Sequence, residues 1–295
     1  MMKHVIINGL KGYGMGAANL VPGVSGGTIA LLTGIYHELI EAINSLMVPA
    51  TWKFLFKGEW RAFWKQAHGT FLLSLGLGIL LSILSLSKLM VMVMVQYPVQ
   101  TWAFFFGLIL ASAYVLFRGV QGWGWREVVL VLAGGAFGVW VSTLDAMSHT
   151  PDDLWYITLC GAVSVCTMIL PGVSGSFMLL VMGKYDYIMK ALDVTALNIP
   201  VIIAFALGCV VGILAFTKFL HWLLGKWEKQ TILVLLGFIL GSLVKVWPWS
   251  NPDALTAAGI DTSLTLPGWP GALLWAVIGI VFVAVLEISA RKKNA

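Results

Sequence analysis

Ser25 and Ser174 stand in the same pentapeptide, Pro-Gly-Val-Ser-Gly, at Pro22 to Gly26 and again at Pro171 to Gly175. Each copy interrupts a long apolar stretch, and each is followed by Gly-x-Tyr, at Gly34 to Tyr36 and at Gly183 to Tyr185. A proline ends one half-helix, glycines permit a sharp reversal, and a serine opens the next half-helix, whose first N–H groups are unpaired. Such N–H groups, with a hydroxyl beside them at the positive end of the helix dipole, suit a phosphate or a carboxylate. Ser25, Gly26, Gly27 and Thr28 form one candidate cradle, and Ser174, Gly175 and Ser176 the other. The plainer reading is that serine caps the half-helix and glycine permits helix crossing. Duplication at equivalent positions favours binding.

The elements that carry these motifs belong to a membrane. Hydrophobic residues make up 59% of the chain and charged residues 11%, which excludes a soluble core with a solvated shell. Apolar segments fall at about 5–21, 27–47, 70–95, 101–117, 127–144, 154–170, 176–192, 200–224, 231–247 and 271–289. The first segment carries Lys3, Lys11 and several glycines without a small-residue cleavage site, so it reads as a retained segment and not a signal peptide. Cys160, Cys166 and Cys209 lie within apolar segments without metal-ligand spacing. Neither a metal nor a cofactor is expected. The net charge of +5 comes from basic residues at the ends of apolar spans, which orient a chain in a bilayer, so nucleic acid is not an expected partner.

Ten apolar pieces do not mean ten crossings. After the first break the apolar run extends from Thr28 to Tyr36 before His37, Glu38 and Glu41 follow, and Lys184, Asp186 and Lys190 follow the second break in the same way. Arms this short span about half of a ~30 Å hydrocarbon layer. The expectation is two re-entrant hairpins, at about 5–47 and 154–192. Loop charge agrees, because returning both hairpins to their side of entry puts Lys53, Lys57, Arg61, Lys65, Arg118, Arg126, Lys226, Lys229 and both termini on one face. The opposite loops, at about 96–100, 145–153, 193–199 and 248–270, then contain no Lys or Arg and carry Asp145, Asp152, Asp153, Asp193, Asp253 and Asp261.

The predicted fold is therefore an all-α polytopic membrane protein of six crossings and two hairpins, with both termini cytoplasmic. Each half, 1–144 and 145–295, holds one re-entrant hairpin and three transmembrane helices, and an odd number of crossings inverts the second half relative to the first. The motifs align at an offset of 149 residues, and Gly107-x-Ile109-Leu110-x-Ser112 matches Gly237-x-Ile239-Leu240-x-Ser242 at an offset of 130. The difference of 19 is about the length of residues 49–68, a segment the second half lacks. There Trp52, Phe56, Trp60 and Trp64 recur every fourth residue beside Lys53, Lys57, Arg61 and Lys65, predicting a short amphipathic helix on the cytoplasmic membrane surface, against anionic lipid. The 130-residue register also superimposes Lys88 on Lys218 in equivalent crossings. Either lysine snorkels to its interface or it meets a lipid phosphate on the way to the centre. Glu38, Glu41 and Asp186 are the acids that could relay protons.

The chain resembles the bacterial polyprenyl-phosphate transporter family over essentially its whole length, most specifically at Pro22 to Thr28 with Gly34-Ile35-Tyr36, at Leu170 to Phe177 with Gly183-Lys184-Tyr185, and at Phe104 to Gly107. The resemblance implies a multi-pass protein of the bacterial cytoplasmic membrane that flips undecaprenyl phosphate. Such a protein recycles the lipid carrier for peptidoglycan and other envelope polymers. Where the family commonly has an acid directly after Gly-x-Tyr, the first copy has His37 followed by Glu38, and the second has Asp186. Two other classes stay open. A membrane polyprenyl-diphosphate phosphatase shares a Pro-Gly-x-Ser motif, but there an arginine follows and glutamates precede; here glycine follows each serine, and residues 11–20 hold no acid. Phosphoryl transfer without a cation clamp or a base lacks its main electrostatic help, so the reading is not that of an enzyme. A small-ion or metabolite channel, including a small-anion channel or transporter, is suggested by paired half-helices meeting at mid-membrane; acids lining a continuous water path would favour it, whereas these acids gather near span ends. Membrane lipids are partners in any case, and the sequence leaves a homo-oligomer open.

Overall fold

The computed structural model describes residues 2–20, 24–191, 197–250, 255–256, 258–260 and 267–294. Pro22 and Gly23 of the first motif and the loop acids Asp193, Asp253 and Asp261 lie outside the described residues. Every regular element described is a helix. The N-terminal half contributes α1 (Met2–Asn19), α2 (Gly26–Leu32), α3 (Tyr36–Ser45), α4 (Pro49–Phe56), α5 (Trp60–Gln66), α6 (Gly69–Gln96), α7 (Pro98–Gly119) and α8 (Trp125–Ser142). The C-terminal half contributes α9 (Leu154–Ile169), α10 (Gly175–Val181), α11 (Tyr185–Ala191), α12 (Ile199–Ser242) and α13 (Trp269–Asn294). Four of these, α6, α7, α8 and α12, are long and apolar enough to cross a membrane, and α9 and the 269–285 part of α13 are shorter apolar helices.

Helix α12 contains 44 residues, roughly 66 Å at 1.5 Å per residue and about twice the hydrocarbon thickness. Its continuity is broken at Trp227, which has non-helical φ −138° and ψ 54°. Tyr97, 130 residues earlier and between α6 and α7, has φ −133° and ψ 55°. A threonine four residues on clamps each bend: Thr101 Oγ1 donates to the Tyr97 carbonyl at 2.8 Å, and Thr231 Oγ1 to the Trp227 carbonyl at 2.8 Å. The two apolar segments expected at 200–224 and 231–247 are thus the two arms of one bent helix, and the second arm ends at Ser242.

Helices pair through glycines laid against carbonyl groups. A Cβ on Gly12 would overlap the Leu75 carbonyl, and a Cβ on Gly161 would overlap that of Phe205. Reciprocally, Gly78 lies on the Gly9 carbonyl and Gly208 on the Thr158 carbonyl. All four positions correspond at the offsets of 149 and 130 residues. The same holds for the other pairs, in which Gly107 meets Ala276 and Gly237 meets Val131, while Gly279 meets Phe104 and Gly134 meets Val234. The last set adds an offset of 145 residues, from Gly134 to Gly279, that the sequence alone did not reveal. In three pairs the contacts advance in the same direction along both helices, and for α7 and α13 Val99 and Ala103 cluster with Ala272 while Leu110 and Arg118 share a pocket with Ile280 and Glu287. Hence α1 runs parallel to α6, α9 to the first arm of α12, α7 to α13, and α8 to the second arm of α12. The core follows the correspondence too: Ile109 and Ile239 are both fully buried, as are Ser112 and Ser242.

Residues 49–68 do not form the single amphipathic helix expected. Gly58, at φ +75°, breaks the segment into α4 and α5, since the left-handed conformation ends a helix and suits glycine. The two short helices fold on each other through the Trp52 and Phe63 rings, 5.6 Å apart, and expose Phe56 and Trp60 at the tip. The aromatic residues remain on the surface, but one helical stripe does not carry them.

The glycine contacts generate a paired test. Gly76 and Gly78 sit on one helix, yet a Cβ at Gly76 meets nothing, whereas one at Gly78 meets backbone. Gly78→Ala and Gly208→Ala should each destabilise the detergent-solubilised protein by about 1–3 kcal/mol, and Gly76→Ala should be neutral or mildly stabilising. Thermal unfolding measures the order, and equal stability of all three variants would refute the packing described.

Candidate functional site

Both motifs build their breaks with the same local bonds. After α2, the Gly34 amide donates to the Leu31 carbonyl at 3.2 Å and the Ile35 amide to the Ala30 carbonyl at 2.9 Å. After α10, Gly183 bonds to Leu180 and Lys184 to Leu179, each at 2.9 Å. These six-to-one closures need a left-handed residue at the turn, and Gly34 (φ +70°) and Gly183 (φ +64°) supply it. The repeated Gly-x-Tyr is the signature of this cap.

The first cradle is closed by internal bonds. Ser25 has extended backbone and accepts the Gly27 amide at 3.1 Å as an N-cap. Its own hydroxyl points to the C-terminal half, with the Leu170 carbonyl at 2.8 Å and that of Met168 at 3.1 Å. The Gly26 amide donates to Asn19 Oδ1 at 2.7 Å, and the Thr28 amide to the Ser25 carbonyl at 3.0 Å. A Cβ on Gly27 would overlap the Ile169 carbonyl, and Tyr36, 1% exposed, donates its hydroxyl to that same carbonyl at 3.4 Å. The last carbonyls of α9, left over by the break at Pro171, thus receive donors from Ser25 and Tyr36. The Thr28 hydroxyl is buried and has no partner among the described residues.

The second cradle is built differently. Ser174 accepts the Phe177 amide at 3.2 Å, and its hydroxyl lies 3.2 Å from that of Ser176, which is half-buried. Ser164 Oγ donates to the Gly175 carbonyl at 3.1 Å, holding the motif to α9. Gly172, at φ +102°, lies against Ser242 at the end of α12. One turn beyond, the half-buried Lys245 places its Nζ 4.5 Å from the centre of the Phe177 ring. Sequence reading missed Lys245, although its equivalent 130 residues earlier, the apolar Val115, was a signal. Helices α2 and α10 have seven residues each, so each offers a weaker N-terminal dipole than a long helix would.

A cavity of about 2060 Å³ lies beside the first motif, between α1, α2, α6, α7 and α13. It touches α6 near both ends, at Thr70 and Phe71 and at Met90 and Val93, and reaches Tyr97 beyond the helix. Phe71, Phe104, Phe105 and Phe282 make its walls apolar, Lys3 and His4 line it where α1 begins, and Lys11, Glu38 and Glu287 are its other charged residues. Lys11 Nζ donates to the Thr33 carbonyl at 2.9 Å, beside the Gly34 turn. At the far end Gln100 lines the cavity with a buried Oε1 that has no partner among the described residues.

The remaining candidates stay apart from one another. Glu38, Glu41 and Asp186 are exposed at the hairpin exits, and Glu38 lines the cavity. Lys88 and Lys218 are exposed on α6 and α12. His37 reaches Glu228 at 3.3 Å, and Lys229 reaches Glu127 at 2.8 Å, so the first hairpin's exit, the α12 bend and the start of α8 share one end of the molecule. Lys184, 3% exposed, pairs with Asp152 and donates to the Thr150 carbonyl at 3.2 Å, which ties the α8–α9 loop to the second hairpin. Among the described residues no group of three His, Cys, Asp or Glu comes together that could hold a metal ion.

Comparison with known proteins places the chain in one family. No solved structure matches significantly. A polyprenyl-phosphate transporter of Vibrio cholerae is 39% identical over 243 residues, covering 82% of this chain and 77% of that protein. A polyprenyl-phosphate transporter of Staphylococcus aureus is 32% identical over 309 aligned positions, covering 99% of this chain and all of that protein. Residues 15–264 match the VCA0040-like family, described as undecaprenyl phosphate translocase-like, and it is to this family of multi-helix membrane proteins that the chain belongs.

Proposed function

We propose that the protein flips undecaprenyl or a related polyprenyl phosphate across the bacterial cytoplasmic membrane, returning the carrier to the inner leaflet for envelope-polymer synthesis. The observation that carries the reading is the cavity between α1, α6, α7 and α13, apolar at its walls, lined also by the charged Lys3, Lys11, Glu38 and Glu287, and bordered by the first motif's hairpin. A lipid monophosphate has this polarity: a long hydrocarbon that tolerates lipid and Phe side chains, and one small dianionic head. The fold supports a route for it. Because α1 runs parallel to the next crossing, α6, and α9 to the first arm of α12, the chain between them must come back to its side of entry. That supports two re-entrant hairpins, and the paired offsets support inverted repeats of 1–144 and 145–295 with cytoplasmic termini.

In this proposal the head group rests at the crossing of the two motifs and exchanges with internal bonds. A phosphate oxygen takes the Ser25 hydroxyl from the Leu170 carbonyl, with Gly26, Gly27 and the unpartnered Thr28 hydroxyl beside it; Ser174, Gly175 and Ser176 receive it in the other half. Lys88 and Lys218 contact the phosphate as it enters or leaves each leaflet. Glu38, lining the cavity, is the acid placed to exchange a proton with it, and Glu41 and Asp186 stand at the hairpin exits.

Reconstitution in liposomes with leaflet-resolved measurement of polyprenyl phosphate tests the activity, with phosphate release from the diphosphate lipid followed alongside. Wild-type protein should equilibrate the monophosphate between leaflets and release no phosphate; the reverse outcome would make it a phosphatase. Ser25→Leu or Ser174→Leu should cut transport at least about tenfold while the protein still inserts, and serine-to-alanine should do less. Unchanged transport in the double leucine variant would make the motifs structural. For Lys88→Glu the expected defect is in uptake from the outer leaflet, and for Lys218→Glu in exchange at the inner one. Wild-type behaviour of both would remove these lysines from the path. Topology is read separately, in a cysteine-free background: Ser148→Cys and Asn198→Cys should react with an impermeant thiol reagent from outside, and Ala62→Cys and Gln230→Cys should not. Protection of position 198 would overturn the re-entrant second hairpin.

A further inference from the structure

Lys245 lies at the second motif for reasons that its own helix does not supply. The second arm of α12 ends at Ser242 against Gly172, and the following turn, closed by the Lys245 amide on the Ser242 carbonyl at 3.0 Å, carries the lysine over Phe177. Phe177 is the third residue of α10 and is 4% exposed, in a cluster with Val141, Val173, Val181 and Phe238. Its amide is the one that Ser174 Oγ accepts. The lysine is therefore braced against the motif by an aromatic face, while its half-buried side chain has no carboxylate partner among the described residues. This contrasts with Lys184, paired with Asp152, and Lys229, paired with Glu127. An aromatic face attracts a cation but does not neutralise it, and a partly desolvated ammonium without a counter-ion is stabilised most by an incoming anion.

The correspondence between the halves adds that this cation has no counterpart. The equivalents of Lys245 and Phe177 are Val115 and Thr28. We infer that Lys245 is the head-group contact of the second motif, binding the phosphate of a lipid monophosphate beside the Ser174 and Ser176 hydroxyls. It makes that half the more strongly anion-binding of the two. The inference rests on the transport reading and deepens it: the asymmetry gives the motif at the Lys245 end the first hold on the anionic head.

The test uses the intact purified protein in detergent, with farnesyl phosphate as probe, farnesol as its uncharged control and inorganic phosphate as competitor, followed by tryptophan fluorescence. Lys245→Gln should weaken farnesyl phosphate binding about tenfold or more and farnesol binding by less than about twofold. Lys245→Arg should stay within about threefold of wild type, and raising the salt concentration should weaken wild type more than Lys245→Gln. Millimolar inorganic phosphate should fail to displace the lipid; ready displacement would make this a free-phosphate site and overturn the lipid assignment. Equal farnesyl phosphate affinity in wild type and Lys245→Gln, or an equal loss for farnesol, would overturn the inference while leaving transport intact. If wild type neither binds farnesyl phosphate nor moves polyprenyl phosphate in liposomes, the transport reading falls and takes this inference with it.

Discussion

The carbonyl groups at the end of α9 set the terms for the rest of the molecule. A helix broken inside an apolar environment leaves its last carbonyls without donors, and each such group costs several kcal/mol in hydrocarbon. Here the donors come from the other half of the chain: Ser25 to Leu170 and Met168, Tyr36 to Ile169. Ser25 can reach them because Gly27 has no Cβ to hold α2 away from the Ile169 carbonyl. Tyr36 can reach them because the Gly34 turn sends α3 back along the buried side of the hairpin. One break is thus completed by the other, and the residues that do it are those that repeat in the sequence.

The same bonds qualify the picture of an open anion site. A serine that caps a helix with its oxygen and donates its proton across the interface has its hydrogen-bonding capacity largely engaged. A phosphate that binds there must replace a carbonyl as acceptor, which is favourable because an ionised acceptor makes the stronger bond. In the proposed function this exchange leaves the carbonyl exposed, which couples anion binding to the contact between the halves. A site of this kind is sensitive to the arrangement of the whole molecule in a way that a rigid pocket is not.

Much of this was legible in the sequence because helix breaks in a membrane are expensive and use few residue types. The doubled Pro-Gly-Val-Ser-Gly, the Gly-x-Tyr after it and the offsets of 149 and 130 residues all recur in the structure as equivalent caps and glycine contacts. The third offset, 145, stayed hidden because Gly134 and Gly279 sit in segments whose other residues diverge, and small residues on carbonyls carry little local pattern. Residues 49–68 misled because a four-residue aromatic spacing reads as one helix, while a single glycine at 58 is enough to fold it in two. Lys245 was overlooked for another reason. Nothing in the sequence near it resembles a motif; its position follows from Ser242 packing on Gly172, a contact between residues 70 apart.

Parallel pairing across the halves also has a consequence for biogenesis. Helix α7 meets α13 and α8 meets the second arm of α12, so while α1 pairs with α6 and α9 with the first arm of α12 inside a half, α7 and α8 find their partners only in the other half. A ribosome that has finished α7 must add about 150 residues more before α13 exists. At about 5–20 residues per second, Gly107 and its neighbours wait on the order of ten seconds for the helix that covers them. During that interval α7 lacks its partner, and a chain truncated before Trp269 never acquires it. The packing between the two halves is therefore completed only by the last helix to arrive.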